Sequence, residues 1–480
     1  MELYVDRNDF AVFMLLFLLN LVLVFYQPLY HVLFIDEGQY LLVSKKMIEG
    51  WVPYRDIIEN KPPGMYISVI PAVLLCGNDI AKLRVYTAFM VSLTIFLVYL
   101  IGKKLSNRKG GFLAAAIMIF INAFPGFCGY VLMTDPVANL FIAAMFYCLV
   151  CFELSYSVIF LVSILFAAAC SVRQTCIFMI IPVIYELYNS GKKLEWGRSA
   201  AVFAAGLSVI LVPMVIYLFM NSALQYAFYW MFLALVGSKW QSISDVVSTW
   251  VMMAILFLPF VLLTVIGLRR MNKKYITIFL WLLSGLIIAL MGWGYWHNYL
   301  FAVPALSILA SRGVENVLKL KGKMKKEIFT GIIIFIIFMA LLFLAFEFYV
   351  MGGMAFSPSW EEQKGISDFI RANTQRDDRI FVFGVNSEVY YLSDRDPATR
   401  MSFFGGYVCN MSKEEDEELV FNPLRRQNTK YFVINHPNIA DMCGNGSRIE
   451  REAMEYVDAS YVYVDSWGPL DLYERMGSTT

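Results

Sequence analysis

GMYISVIPAVLLCG, residues 64 to 77, is the stretch whose reading decides the fold of this chain. Its 14 residues, with Pro71 among them, fall short of the roughly 20 that a bilayer-crossing helix needs and match an interfacial or re-entrant segment. Outward from it, longer apolar stretches lie at 10–32, 82–102, 111–128, 134–152, 157–172, 174–188, 199–220, 249–268, 275–293, 298–311 and 328–350. They predict about eleven transmembrane helices, a polytopic α-helical membrane protein. Composition agrees: of 480 residues 59% are hydrophobic and 16% charged, against about 45–50% apolar and about 25% charged in soluble domains. The net charge of +1 gives no reason to expect nucleic acid as a partner, and the apolar excess excludes disorder.

Charge orients the spans. Basic clusters stand at Lys103, Lys104, Arg108 and Lys109, at Lys192, Lys193 and Arg198, at Arg269, Arg270, Lys273 and Lys274, and from Arg312 through Lys326. The positive-inside rule sends all of them to the cytoplasm. With 64–77 not spanning, eleven helices keep the N-terminus on that side too; a twelfth would put the clusters opposite it. Residues 33–81, the turns near 129–134 and 173, the loop 221–248, the turn 293–298 and the C-terminal domain then face outside. The first span lacks a small-residue cleavage site and reads as a retained helix. The neutral total hides two parts. Residues 1–350, a membrane domain whose first outer loop is 33–81, carry a net +9, whereas residues 351–480, an extracytoplasmic α/β domain, carry 13 basic and 21 acidic residues, a net −8.

The outer face collects ionisable residues from separate helices. Asp36 and Glu37 follow the first span, and Lys61 precedes Pro62 and Pro63, a rigid turn that a mere boundary lysine would not need. Asp135 in MTDP and Arg173 in SVRQT lie in or beside apolar segments, where a charge is costly unless paired or functional. Arg84 reads equally as a boundary snorkel, and His297 as a hydrogen-bonded interface residue. Tyr226, Tyr229, Trp230 and Trp240 in the loop 221–248 could stack on sugar rings, but an interfacial belt is the favoured reading.

DEGQY, then GWVPYRD and ENKPPG, resembles the first outer loop of the protein O-mannosyltransferase and aminoarabinose transferase family, within the C-type (GT-C) glycosyltransferases. TDP, RQT and WHNYLFAVPAL follow in that family's order, so the resemblance covers about the first 310 residues. It implies GT-C architecture and transfer of a sugar, a hexose such as mannose or a related one, from a polyprenyl-phosphate donor to an acceptor hydroxyl of protein, lipid or glycan at the outer face. By resemblance Asp36 is the general base, with Glu37 and Asp135 orienting the acceptor or supporting it. Lys61 and Arg173, with Arg84 and His297 behind them, would hold the donor phosphate. The lumenal carbohydrate module of the eukaryotic enzymes has no counterpart here, which points to a prokaryotic type. No cofactor is expected; Asp36, Glu37 and Asp135 could hold a divalent cation only if water completed the site.

In the C-terminal domain the sequence predicts a helix near 360–373, strands at RIFVFG, KYFVIN, YVYVD and LDLYE, and helices through Tyr390 and near 448–457. The run Lys413–Glu418 reads as a solvated helix face. Cys409 and Cys443 could pair in an oxidising compartment, and Asn410 and Asn445 begin sequons short enough to arise by chance. The rival reading is a transporter or flippase of lipid-linked sugars, which would place its polar groups near the midplane rather than at one face.

Overall fold

A computed structural model of the protein describes residues 5–26, 32–189, 194–234, 243–269, 271–292, 295–319, 358–404, 411–427, 429–443 and 447–477, with a few isolated positions between them. The chain forms two compact units, which do not follow the division at residue 350. The first draws on Met1–Gln27, Arg84–Pro213 and Gln241–Tyr349; the second on Pro28–Leu83, Met214–Trp240 and Val350–Thr480.

The first unit is helical. Arg7–Tyr26, Ile80–Leu105, Thr134–Cys151, Trp196–Met220 and Lys273–Met291 are long and apolar enough to cross a membrane. Val246–Leu256 and Leu258–Gly267 make a sixth candidate, bent by 69°. The bend falls where Pro259, in the first turn of the second helix, has no N–H to continue the hydrogen-bond ladder. Thus five or six helices, not eleven, meet the length requirement among the described residues. The expected spans at 111–128 and 157–172 are helices of 15 and 17 residues, Arg108–Asn122 and Tyr156–Val172. Those at 174–188 and 298–311 each begin with a 3₁₀ segment, Gln174–Met179 and Trp296–Phe301. Most of 328–350 lies outside the described residues. As the sequence led us to expect, the helix Pro63–Cys76 in the second unit is too short to count as a span.

Packing in the first unit uses small residues and buried polar pairs. A Cβ on Gly313 would stand 1.9 Å from the Leu263 carbonyl oxygen, so Val303–Leu318 can lie against Leu258–Gly267 only with glycine there. Asn20 accepts a hydrogen bond from Tyr130 (2.6 Å) and donates one to Ser92 (2.7 Å), satisfying an amide that would be costly alone.

The second unit carries a five-stranded mixed sheet in the order β2-β1-β3-β5-β4: β1 Arg379–Phe383, β2 Asp396–Pro397, β3 Thr429–Ile434, β4 Tyr461–Trp467 and β5 Leu470–Arg475. β1 is parallel to β2 and β3; β3–β5 and β5–β4 are antiparallel. The alternating apolar runs put Phe381, Phe383 and Phe432 in one core with Phe404. The four expected strands form, and the helices Trp360–Ala372, Glu388–Ser393 and Arg448–Ser460 stand where the sequence predicts them. Short β2 and the helices Asn422–Arg426 and His436–Cys443 were not expected.

Three readings are corrected here. The acidic run is not wholly solvated: Asp416 is buried, its carboxylate 2.5 Å from the Arg448 guanidinium, because the helix Lys413–Asp416 turns that one residue inward. Tyr226 and Trp230 are not a lipid-facing belt but pack on the core of this unit, which offers them an apolar surface of its own. Arg84 does not snorkel; it is 2% exposed. Cys409 and Cys443 are disulfide-bonded with Cα atoms 5.1 Å apart, while the other six cysteines are free thiols. Trp240, Asn410 and Asn445 lie outside the described residues.

Candidate active site

In the first unit, three separate segments converge on Asp135. Its carboxylate is fully buried in the first turn of Thr134–Cys151, where the helix N-terminus favours negative charge. Oδ1 accepts from Arg173 Nη1 at 2.5 Å, and Oδ2 lies 3.0 Å from His297 Nδ1. Thr134 Oγ1 also donates to Oδ2 (3.2 Å). Arg173, the residue that interrupts Tyr156–Val172 and Gln174–Met179, also reaches Thr134 Oγ1 from Nη1 (3.0 Å) and Asn298 Oδ1 from Nη2, and rests 5.3 Å from the Phe301 ring. Asn298 in turn donates to the Gly292 carbonyl (2.8 Å). Both side chains keep some solvent contact, 12% for Arg173 and 23% for His297. A fully buried carboxylate thus holds a guanidinium and an imidazole that can still meet a ligand. Asp135, Arg173 and His297 were expected on one face, and the structure brings them into direct contact. Thr134 and Asn298 were missed, although each sits beside a residue already singled out.

In the second unit, Asp36 is the second residue of the helix Ile35–Ile48 and is half-buried. Glu37 is completely buried, and its Oε2 accepts the Phe34 N–H (3.3 Å), so it serves the start of the helix. The chain then folds tightly through Val52–Ile57. Tyr54 takes a left-handed φ of 69° and donates from its backbone to Ile57 (2.7 Å), and its hydroxyl donates to the Lys61 carbonyl (2.5 Å). Pro62 and Pro63 launch the helix Pro63–Cys76, fixing the exit direction from Lys61. Glu59, absent from our candidates, is buried and accepts from the Tyr66 hydroxyl (2.5 Å) and the Asn60 N–H (3.0 Å). Burial pushes its carboxyl above the usual range, while Tyr66, Gln39 and the Lys61 ammonium pull it back. The quoted ENKPPG contained Glu59, but nothing local distinguishes a buried glutamate from a solvated one. Among the described residues no three His, Cys, Asp or Glu side chains form a metal-holding group.

Residues 34–224 match the family of dolichyl-phosphate-mannose-protein mannosyltransferases. The chain therefore carries a domain of this family, the GT-C glycosyltransferases that use polyprenyl-phosphate-linked sugars. That decides for an enzyme over a carrier. Among solved structures, ArnT from Cupriavidus metallidurans bound to undecaprenyl phosphate is similar with a TM-score of 0.65 at 11% identity, covering 98% of each chain. The archaeal oligosaccharyltransferase AglB from Archaeoglobus fulgidus, in complex with an inhibitory peptide and a dolichol-phosphate, is similar with a TM-score of 0.53 at 13% identity over 99% of this chain and 75% of that one. At these identities the likeness is one of fold. No curated protein matches the sequence.

Proposed function

We propose that the protein moves a hexose or related sugar from a polyprenyl-phosphate donor to an acceptor hydroxyl at the outer membrane face, inverting the anomeric centre. The observation that carries this reading is the family domain over 34–224, which spans Asp36, Lys61, Asp135 and Arg173. Asp36 takes the acceptor proton as the acceptor oxygen bonds to C1, and the C1–O bond to phosphate breaks with its electron pair leaving on the polyprenyl phosphate. A half-buried carboxylate at a helix start suits a base, since it is held in place yet open to an incoming hydroxyl. Lys61, Arg173, His297 and Arg84 neutralise the departing phosphate, Asp135 keeping Arg173 and His297 oriented. Glu37 supports the helix that bears the base. The reaction needs no cofactor.

The lipid tail has a matching surface in the first unit. A cavity of about 370 Å³ is lined by Phe127, Trp250, Phe257, Leu286 and Tyr299 among other apolar groups. Membrane insertion with a cytoplasmic N-terminus and an extracytoplasmic C-terminal domain completes the proposal. It is supported by the basic clusters and by the Cys409–Cys443 disulfide, which belongs to an oxidising compartment. The test is sugar transfer in membranes from a panel of polyprenyl-phosphate hexoses. Wild type is expected to consume one of them, and Asp36→Asn to lose at least about a hundredfold in kcat. Retention of most of the rate by Asp36→Asn would show that the base is another group.

A further inference from the structure

A second concave site lies wholly within the second unit. A cleft of about 430 Å³ has Tyr226, Tyr229 and Trp230 on one wall and Arg400, Glu415 and Glu418 on the other. The aromatic wall is the helix Leu224–Phe228, continued by a π-turn over Tyr229–Leu233 that sets Tyr229 and Trp230 edge to face, ring centres 5.0 Å apart. Trp230 is anchored in the core, whereas Tyr229 is 40% exposed. Arg400 covers Tyr226 at 5.0 Å, and its Nη2 donates to the Tyr54 carbonyl (2.8 Å). Its Nε is buried without a partner. Glu415 caps Ser412 (2.8 Å) and lies beside the Tyr229 hydroxyl, which it and burial together make harder to ionise. Glu418 is exposed.

The lining selects among ligand classes. Two carboxylates repel phosphate and nucleic acid. A cationic ligand would compete with Arg400, which already faces Tyr226 and offsets one carboxylate. An apolar segment would bury Arg400 and both glutamates without satisfying them. A neutral pyranose fits each part: its C–H face lies on aromatic rings, its hydroxyls donate to carboxylates, and its oxygens accept from the guanidinium.

We propose that this cleft binds a hexopyranose ring of a neutral acceptor glycan. The inference rests on the transferase reading and gives the acceptor's class. The cleft also joins the first outer loop directly. Arg400 holds Tyr54 through its side chain, its backbone carbonyl accepts the Ile58 N–H (2.8 Å), and Tyr54 reaches Lys61. A glycan seated on Arg400 is thus held by the same residue that braces the segment leading to Lys61.

The test uses the full chain in nanodiscs, with saturation-transfer NMR against linear neutral manno-, gluco- and galacto-pentaoses and against pentalysine. At least one pentaose is expected to bind, with Kd raised about tenfold or more by Tyr229→Ala and by Glu418→Gln. Tyr229→Phe, which keeps the ring, should retain most of the binding. Absence of pentaose binding, binding indifferent to both substitutions, or pentalysine binding that both abolish would each overturn the proposal. Donor consumption from polyprenyl-phosphate hexoses is read in the same nanodiscs. Asp36→Asn should stop it while leaving pentaose binding intact. If that variant still transfers, the assignment of the base fails and the cleft stands; if wild type transfers but binds no pentaose, the cleft fails alone.

Discussion

Asp135 concentrates the chemistry of the first unit at one atom pair, since one of its oxygens faces the Arg173 guanidinium and the other the His297 imidazole. Removing its charge strands Arg173 in surroundings only 12% open to water. Breaking a buried pair in this way costs about 3–5 kcal/mol. We expect Asp135→Asn to lower the thermal unfolding midpoint more than Asp135→Asn combined with Arg173→Gln, and comparison of the single and double variants measures the coupling. Glu388 makes a second prediction. It is wholly buried, with one oxygen accepting from Asn386 (2.8 Å) and the other unpartnered, and burial raises its pKa from 4.5 to about 7. The folded chain therefore holds this proton more tightly than the unfolded chain. The stability it confers is full below pH 4.5 and is lost as the pH climbs through about 7. Between pH 5 and 8 the wild type should lose on the order of 3 kcal/mol at this site, and Glu388→Gln should flatten that dependence in thermal denaturation. Neither prediction could be made from local sequence, which names a carboxylate without saying whether a cation or a wall of apolar atoms surrounds it.

The start of the helix Ile35–Ile48 shows how an element is aimed from a distance. Gln363 accepts the Leu33 N–H (3.1 Å) and donates back to the Leu33 carbonyl (2.9 Å), a two-handed amide grip three residues before Asp36. Gln39 and Ser402 exchange hydrogen bonds one turn further on, and Lys46 pairs with Glu49 (2.6 Å) and Asp396. If Asp36 is the base proposed above, these contacts hold its helix start in one place, as transfer requires. Gln363→Ala is expected to lower kcat with little change in apparent donor affinity, and Gln363→Glu, which can keep only the accepting half of the grip, to recover part of the rate. Steady-state kinetics that showed a change in KM alone would count against this positioning role. The helix bearing Gln363 was legible beforehand as a polar helix near 360–373, and Ser359 and Glu362 start it with a capping box at 3.3 and 2.7 Å. The grip itself was not, because its two partners lie 330 residues apart.

The whole chain divides in a way that its linear order conceals. Pro28–Leu83, Met214–Trp240 and Val350–Thr480 form one compact unit, and residues of all three share one core. A chain ended at residue 357 should therefore lose transfer although no residue beyond that point is assigned to the chemistry, and limited proteolysis should then cut within 33–62 faster than in the full protein. Topology is tested at the same scale. With the disulfide intact, a membrane-impermeant maleimide is expected to label Asp368→Cys from outside intact cells and Lys104→Cys only after the inner face is opened.

Short-range patterns carried much of what is now known. Apolar runs of the right length announced a membrane protein, alternating strands announced the C-terminal sheet, and DEGQY with ENKPPG announced the transferase domain, because each signal is complete within a few dozen neighbouring residues. Tertiary structure alone decided that Glu37 serves its helix, that Glu59 and Arg84 are buried, that Tyr226 and Trp230 line a cleft, and which side chains Asp135 holds. Those outcomes depend on partners brought from distant parts of the chain, where burial and pairing set the free energy of a charge and local sequence does not.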